Sequence, residues 1–339
     1  MENAMDRLIE KIKETNNPTV IGLDPRYDMI PKCVRDKYSE DISGACMAIL
    51  EFNHALIDSV CDIVPAIKPQ IAFYEALGLE GLQVFKETCT YAKSKGMIVI
   101  ADIKRGDIGT TAAGYSNAFL GTTKISEISY SIYDVDFVTV NPYLGIDGVQ
   151  PFIDDCKKYG KGIFVLVKTS NKSSGELQDL KVDGGEEIYT EVGKLVQEWG
   201  KDLIGENGYS SVSAVVGATY PEQLESLRKV MPNSFFLIPG YGAQGGKAED
   251  IALGFDKNGI GGIVNASRSL IAAYKSDNWK DKYAEEQYAQ STRAEAIRMR
   301  DELNNAIKWM LQEDTKSMEK KLKHLLHFIF IIYQQDLYR

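Results

Sequence analysis

Met97-Ile98-Val99-Ile100-Ala101-Asp102-Ile103-Lys104-Arg105-Gly106-Asp107 reads as a buried strand that ends in charge. Five apolar residues in succession leave no polar face, the pattern of a parallel strand covered on both sides. The β-branched members favour extended backbone, because a helix would restrict their side-chain torsions. The run then gives way to Asp102, Lys104 and Asp107, three ionisable groups within six positions.

Seven other short runs have the same form. They are Thr19–Asp24, Ile63–Lys68, Phe137–Asn141, Gly162–Lys168, Val212–Gly217, Phe235–Gly240 and Gly261–Asn265. Amphipathic stretches separate them, such as Gly81–Lys95 with Leu82, Phe85, Cys89 and Ala92 at helical spacing. Eight strand–helix units predict an α/β chain folded as a (β/α)8 TIM barrel. An open doubly wound sheet is the alternative on pattern alone. In a barrel, chemistry sits at the C-terminal mouth of the strands. Polar groups converging there from several strands are tolerated only if they pair or work.

The spacing Asp102-x-Lys104-x-x-Asp107 admits a plain salt-bridge cluster at a strand end. It also admits a catalytic use. A lysine between carboxylates stays protonated, because opposite charge favours its ammonium form. It is then equipped to protonate a carbanion as a general acid. Gly240-x-Gly242-x-x-Gly245 matches the dinucleotide fingerprint literally, but it follows the seventh strand rather than opening the first unit, and position 265 is Asn. A glycine loop after strand seven with a short helix after strand eight is where barrels grip phosphate. Arg268 adds a planar fork suited to phosphate oxygens, and Gln244 a neutral donor.

Composition narrows the partners. The 48 acidic residues outnumber the 39 basic ones, for a formal charge of −9, so the surface repels nucleic acid and anionic membrane. An anionic ligand therefore needs a local basic cluster. Cys33, Cys46, Cys61, Cys89 and Cys156 form no C-x-x-C pair and are expected to be free thiols of a cytoplasmic protein. Met1–Lys13 is charged and amphipathic, unlike a signal peptide. The apolar run His324–Tyr333 is too short to span a membrane. No metal-ligand spacing and no nucleophile–base pair stands out, so neither metal nor cofactor is expected.

The chain resembles the orotidine 5′-phosphate decarboxylase family, in the branch with a K-R-G-D-I active-site segment. The resemblance is carried by Asp102-Ile103-Lys104-Arg105-Gly106-Asp107-Ile108-Gly109-Thr110-Thr111. It extends to Gly22–Arg26, Ala66–Gln70, Lys168–Asn171, Pro239–Gly245 and Asn265–Arg268, in barrel order across most of residues 15–305. It implies decarboxylation of orotidine 5′-monophosphate to UMP in pyrimidine biosynthesis, without metal. By this resemblance Lys104 protonates C6 of the pyrimidine, Asp102 faces the scissile carboxylate, and Lys68 joins the Asp–Lys network. Asp24 and Lys68 hold the ribose, and Thr169 and Ser170 meet the pyrimidine. Pro239, Gln244, Gly245, Ser267 and Arg268 are further substrate-binding positions, Gln244 and Arg268 at the phosphate, with Asn141 a candidate at the mouth. Asp107, Ile108 and Thr111 reach into a neighbour's site, so a homodimer with shared sites is implied.

Two other functions remain open at this point: a magnesium-dependent sugar-phosphate decarboxylase or synthase of the same barrel group, and a non-catalytic phosphate-binding barrel. The polar segment Lys168–Glu187 is too long for an ordinary turn and reads either as a lid or as a solvated loop. Residues 1–307 form the expected barrel domain and 308–339 a helical extension with a basic patch at Lys316, Lys320, Lys321 and Lys323. Packing against the barrel or a partner is the plainer reading of that tail, over membrane contact or a metal site at His324 and His327.

Overall fold

The structure, a computed structural model, describes residues 2–242 and 245–337, with side chains described at 2–242, 245–313, 315 and 316. Eight parallel strands close into a barrel: β1 Thr19–Leu23, β2 Ala66–Pro69, β3 Ile98–Arg105, β6 Phe137–Val140, β7 Gly162–Lys168, β8 Ser210–Val216, β9 Ser234–Pro239 and β10 Gly262–Ala266. Each pairs with its neighbours in chain order, and β10 closes on β1 through Thr19 opposite Val264. All eight runs read from the sequence are barrel strands. The open-sheet alternative fails because both outer strands find a partner.

One pair of strands was not anticipated. β4 Thr123–Ile125 and β5 Ile128–Tyr130 form an antiparallel hairpin outside the barrel. Its Ile125, Ile128 and Tyr130 are exposed, so no burial pattern announced it.

The N-terminal helix Ala4–Thr15 stoppers the end of the barrel opposite the site. Asn3 caps it by accepting from Met5 N at 2.8 Å. Ala4, Met5, Leu8 and Ile9 are fully buried against residues near the strand starts, among them Val20, Phe137 and Phe235. Each large side chain buried this way stabilises by roughly 1.5–3 kcal/mol. The closed bottom leaves the C-terminal mouth as the open face.

A single helix runs Tyr288–Leu337, unbroken through residues 307 and 308. Its first half lies on the barrel, burying Ala296, Met299, Leu303 and Ile307. The side chains of Lys320, Lys321, Lys323, His324 and His327 lie outside the described residues. Among the described residues no helix is long and apolar enough to cross a membrane.

Candidate active site

The mouth is organised around Asp102. β3 leaves its regular register with β6 between Ala101 and Arg105, and within that irregularity Lys104 adopts φ +45°. A bulge of this kind re-aims a side chain at the end of a strand. Asp102 and Lys104 both reach the mouth, and the Lys104 ammonium donates to Asp102 Oδ1 at 2.5 Å. Lys68, from the end of β2, donates to Asp102 Oδ2 at 2.7 Å. Thr139 of β6 donates to Oδ1 at 2.9 Å and accepts from Lys104 N at 2.9 Å.

Burial opposes charge on both Lys68 and Asp102, and their mutual attraction outweighs it. Desolvation alone would lower the Lys68 ammonium; Asp102 and Asp24 instead hold it above its ordinary value. Desolvation alone would raise the Asp102 carboxyl; Lys68 and Lys104 instead hold it well below the usual carboxylate range. Lys104 differs in access, with 45% of its side chain exposed to the cleft. The arrangement is a fixed carboxylate between one buried and one accessible ammonium.

That cleft encloses about 520 Å³ and is lined by Asp24, Lys68, Asp102, Lys104, Thr169, Ser170 and Pro239, among others. Asp24 Oδ1 is buried in it without a hydrogen-bond partner among the described residues. A buried acceptor left unpaired is destabilising by about 1–3 kcal/mol, so a hydroxyl-bearing ligand is the chemistry that fits.

A second cavity of about 380 Å³ shares Asp24, Pro239 and Asn265 with the first and adds Gly240, Ser267 and Arg268. Gly240 at φ +109° and Gly245 at φ +92° require the freedom of glycine and turn the loop after β9. Gly22 serves a different need: a Cβ there would meet Ser267 Oγ at 2.0 Å, so β1 passes directly beside the turn that follows β10. Arg268 is exposed at the start of the short helix Arg268–Ile271 that follows β10. Gln244 lies outside the described residues. The loop is braced behind by Tyr241, whose hydroxyl donates to Glu302 of the C-terminal helix at 2.6 Å.

Not every expected residue lines this cleft. Asp107 accepts from its neighbour's backbone, Ile108 N, at 2.8 Å, while Ile108 and Thr111 are exposed at the start of the helix Gly109–Phe119. Asn141 turns to cap Tyr143 N at 3.0 Å and lines an adjoining cavity of about 480 Å³ that shares Leu166, Thr169 and Gln178 with the cleft. Two residues were missed. Thr139 sits in an otherwise apolar strand, and that lone buried hydroxyl was the available signal. Gln178, which pairs twice with Thr169 and lines the cleft, lies in an irregular loop that carried none.

Among the described residues no group of three or more His, Cys, Asp or Glu is placed to hold a metal ion. Both oxygens of Asp102 are already engaged by ammonium groups, a donor set poorly suited to a cation.

An Asp–Lys network and a glycine-rich turn beside an exposed arginine share the C-terminal mouth of a (β/α)8 barrel. The family described as orotidine 5′-phosphate decarboxylase / HUMPS matches residues 20–310, and the chain belongs to that family. A Rhodopirellula baltica protein named orotidine 5′-phosphate decarboxylase is 45% identical over 293 residues, covering 86% of this chain and 96% of its own. A Caldicellulosiruptor bescii protein of the same name is 42% identical over 311 residues, covering 91% of this chain and all of its own. The solved structure of Leishmania donovani OMP decarboxylase superposes with a TM-score of 0.67 at 29% identity, covering 90% of this chain and 99% of that one.

Proposed function

We propose that this chain decarboxylates orotidine 5′-monophosphate to UMP and CO2, with Lys104 as the proton donor and no metal. The observation that carries the reading is the Asp102 carboxylate clasped by Lys68 and Lys104 in a cleft continuous with the Gly240–Arg268 anion grip. Phosphate at Arg268, Ser267 and the Gly240–Gly245 turn places the ribose beside Asp24 and Lys68. The pyrimidine then lies under Thr169 and Ser170, with its carboxylate toward Asp102.

The bond from C6 to the carboxylate breaks, its electron pair stays on C6, and CO2 leaves. The Lys104 Nζ proton forms the new C6–H bond, and the exposed amine recovers a proton from solvent. Repulsion between Asp102 and the substrate carboxylate disappears as that charge departs, which favours the transition state over the bound substrate. Incubation with orotidine 5′-monophosphate, followed by pyrimidine absorbance, tests the reading; no turnover in chelator-treated protein would sink its metal-free form. A magnesium requirement would favour the sugar-phosphate alternative, and tight UMP binding without turnover the non-catalytic one.

The working unit in this reading is a homodimer. Asp107, Ile108 and Thr111 stand outside the cleft of their own chain, which supports their service to a partner's site. Mixing Lys104→Ala and Asp107→Ala proteins is expected to restore part of the activity. Subunit exchange without recovery would remove Asp107 from a shared site. Five free cysteines support a cytoplasmic protein, and fractionation of expressing cells checks it. Residues 1–307 carry the activity in this reading, with 308–339 an extension of no assigned role; truncation at 307 with full turnover is the expected result.

A further inference from the structure

Lys168 ends β7 at the mouth, yet it takes no part in the Asp102 network. Its side chain is fully buried. The ammonium donates to Asp179 at 2.6 Å and to Ser174 at 3.2 Å, and it lies under the rings of Tyr220 and Tyr189 at 5.0 and 5.5 Å. A lysine so thoroughly removed from water is retained only where its charge is paired and used.

The residue beside each partner of this ion pair shows the use. Thr169 follows Lys168, and Gln178 precedes Asp179. The Gln178 carboxamide accepts from Thr169 N at 2.9 Å and donates to Thr169 Oγ1 at 2.8 Å. Two adjacent pairs, Lys168–Asp179 and Thr169–Gln178, therefore form a side-chain clasp that closes the loop between them at its base. Within the loop, Thr169 Oγ1 donates to Asn171 at 2.6 Å. Gly217 backs it closely, since a Cβ there would meet Ser170 N at 2.9 Å. Thr169, Ser170, Asn171 and Gln178 line the cleft that holds Lys104.

We infer that Lys168 is a positioning residue for the base-binding end of the site: paired with Asp179, it fixes Thr169, Ser170 and Gln178 where the pyrimidine's polar edge binds, without touching the substrate. The inference rests on the proposed nucleotide reading. The segment Lys168–Glu187, open between lid and solvated loop in the sequence, is in this view pinned at one buried point rather than free.

Two ligands separate positioning from mere stability. UMP fills both ends of the cleft, whereas ribose 5-phosphate reaches the Asp24 and Arg268 end but not the clasp. Lys168→Met keeps the buried stem and removes the charge; Lys168→Met with Asp179→Asn removes the pair without leaving a charge stranded. In both variants UMP affinity and kcat are expected to fall about tenfold, the scale of one or two lost hydrogen bonds. Ribose 5-phosphate affinity is expected to stay within about twofold of wild type. Unchanged UMP affinity, equal loss for both ligands, or full recovery of UMP binding in the double variant would overturn the role. If the single variant does not fold, the double variant alone decides; if it too does not fold, Lys168 is structural and the inference fails. Wild-type protein that does not bind UMP would instead refute the nucleotide reading itself.

Discussion

Lys68 Nζ lies 2.7 Å from Asp102 Oδ2, with both side chains almost wholly out of solvent. The pair joins the ends of β2 and β3 and leaves the other Asp102 oxygen for Lys104 and Thr139. Its value lies in what each partner does to the other. Separately each charge would be costly to bury; together they form a fixed electrostatic frame around an accessible proton donor.

The pair makes a prediction about pH. The Asp102 carboxyl is held below its ordinary 3.8, so the folded chain binds fewer protons there than the unfolded chain. Its contribution is complete above about pH 4 and is lost as pH falls through the folded value. Lys68 is held above its ordinary 10.5, so its contribution is complete below that pH and is lost as pH rises through the folded value. Urea unfolding should show Asp102→Asn less stable than wild type by about 3–5 kcal/mol. The gap should be flat from about pH 5 to 9 and narrow below about pH 4. A gap unchanged at low pH would contradict the linkage.

Lys104 combines a chemical role with an unfavourable backbone. At φ +45° a side chain other than glycine's is strained, by about 1–2 kcal/mol. Lys104→Gly is therefore expected to be about 1 kcal/mol more stable than Lys104→Ala. Both should lose turnover on the order of 10³-fold while still binding UMP. Denaturation and single-turnover measurements read the two effects separately. Near-wild-type turnover in either variant would remove Lys104 as the acid.

Thr139 links Asp102 to the Lys104 backbone through one hydroxyl. Thr139→Val preserves the shape and removes both hydrogen bonds, each contributing roughly 1 kcal/mol. The expected result is a fall of about tenfold or more in kcat, with UMP affinity nearly unchanged. An equal loss in UMP binding would place the hydroxyl's role in the ground state.

Arg268 should act through binding. Arg268→Ala is expected to raise KM about 10²-fold, the scale of one or two charge-assisted hydrogen bonds. Arg268→Lys should recover only part, because an ammonium lacks the bidentate fork. Inorganic phosphate should inhibit wild type more strongly than either variant, and equal inhibition would place the phosphate elsewhere.

The strands and their charged ends were legible because both signals are local. Burial on two faces writes a continuous apolar run, and each run stops where the chain meets the mouth. Thr139 was harder to see, since a threonine in a strand is ordinary until its neighbour across the ladder is known. Asn141 illustrates the opposite difficulty. It ends a strand at the mouth, yet its side chain caps Tyr143 and lines a cavity beside the Lys104 cleft rather than the cleft itself. Lys168 has the same strand-end position as Lys68 and serves the loop instead of the Asp102 network.

The sequence by itself determined the barrel class, the order of its strands and the chemical groups available at their ends. Those follow from periodicity and residue type, which need no long-range information. Only the tertiary structure decided which groups meet. Register and the irregularity of β3 at Lys104 set the face each side chain takes, and a one-residue change in register would reverse it. That is why Lys68 and Lys104 converge on one carboxylate from different strands, while Lys168, equally charged, is turned away to hold a loop.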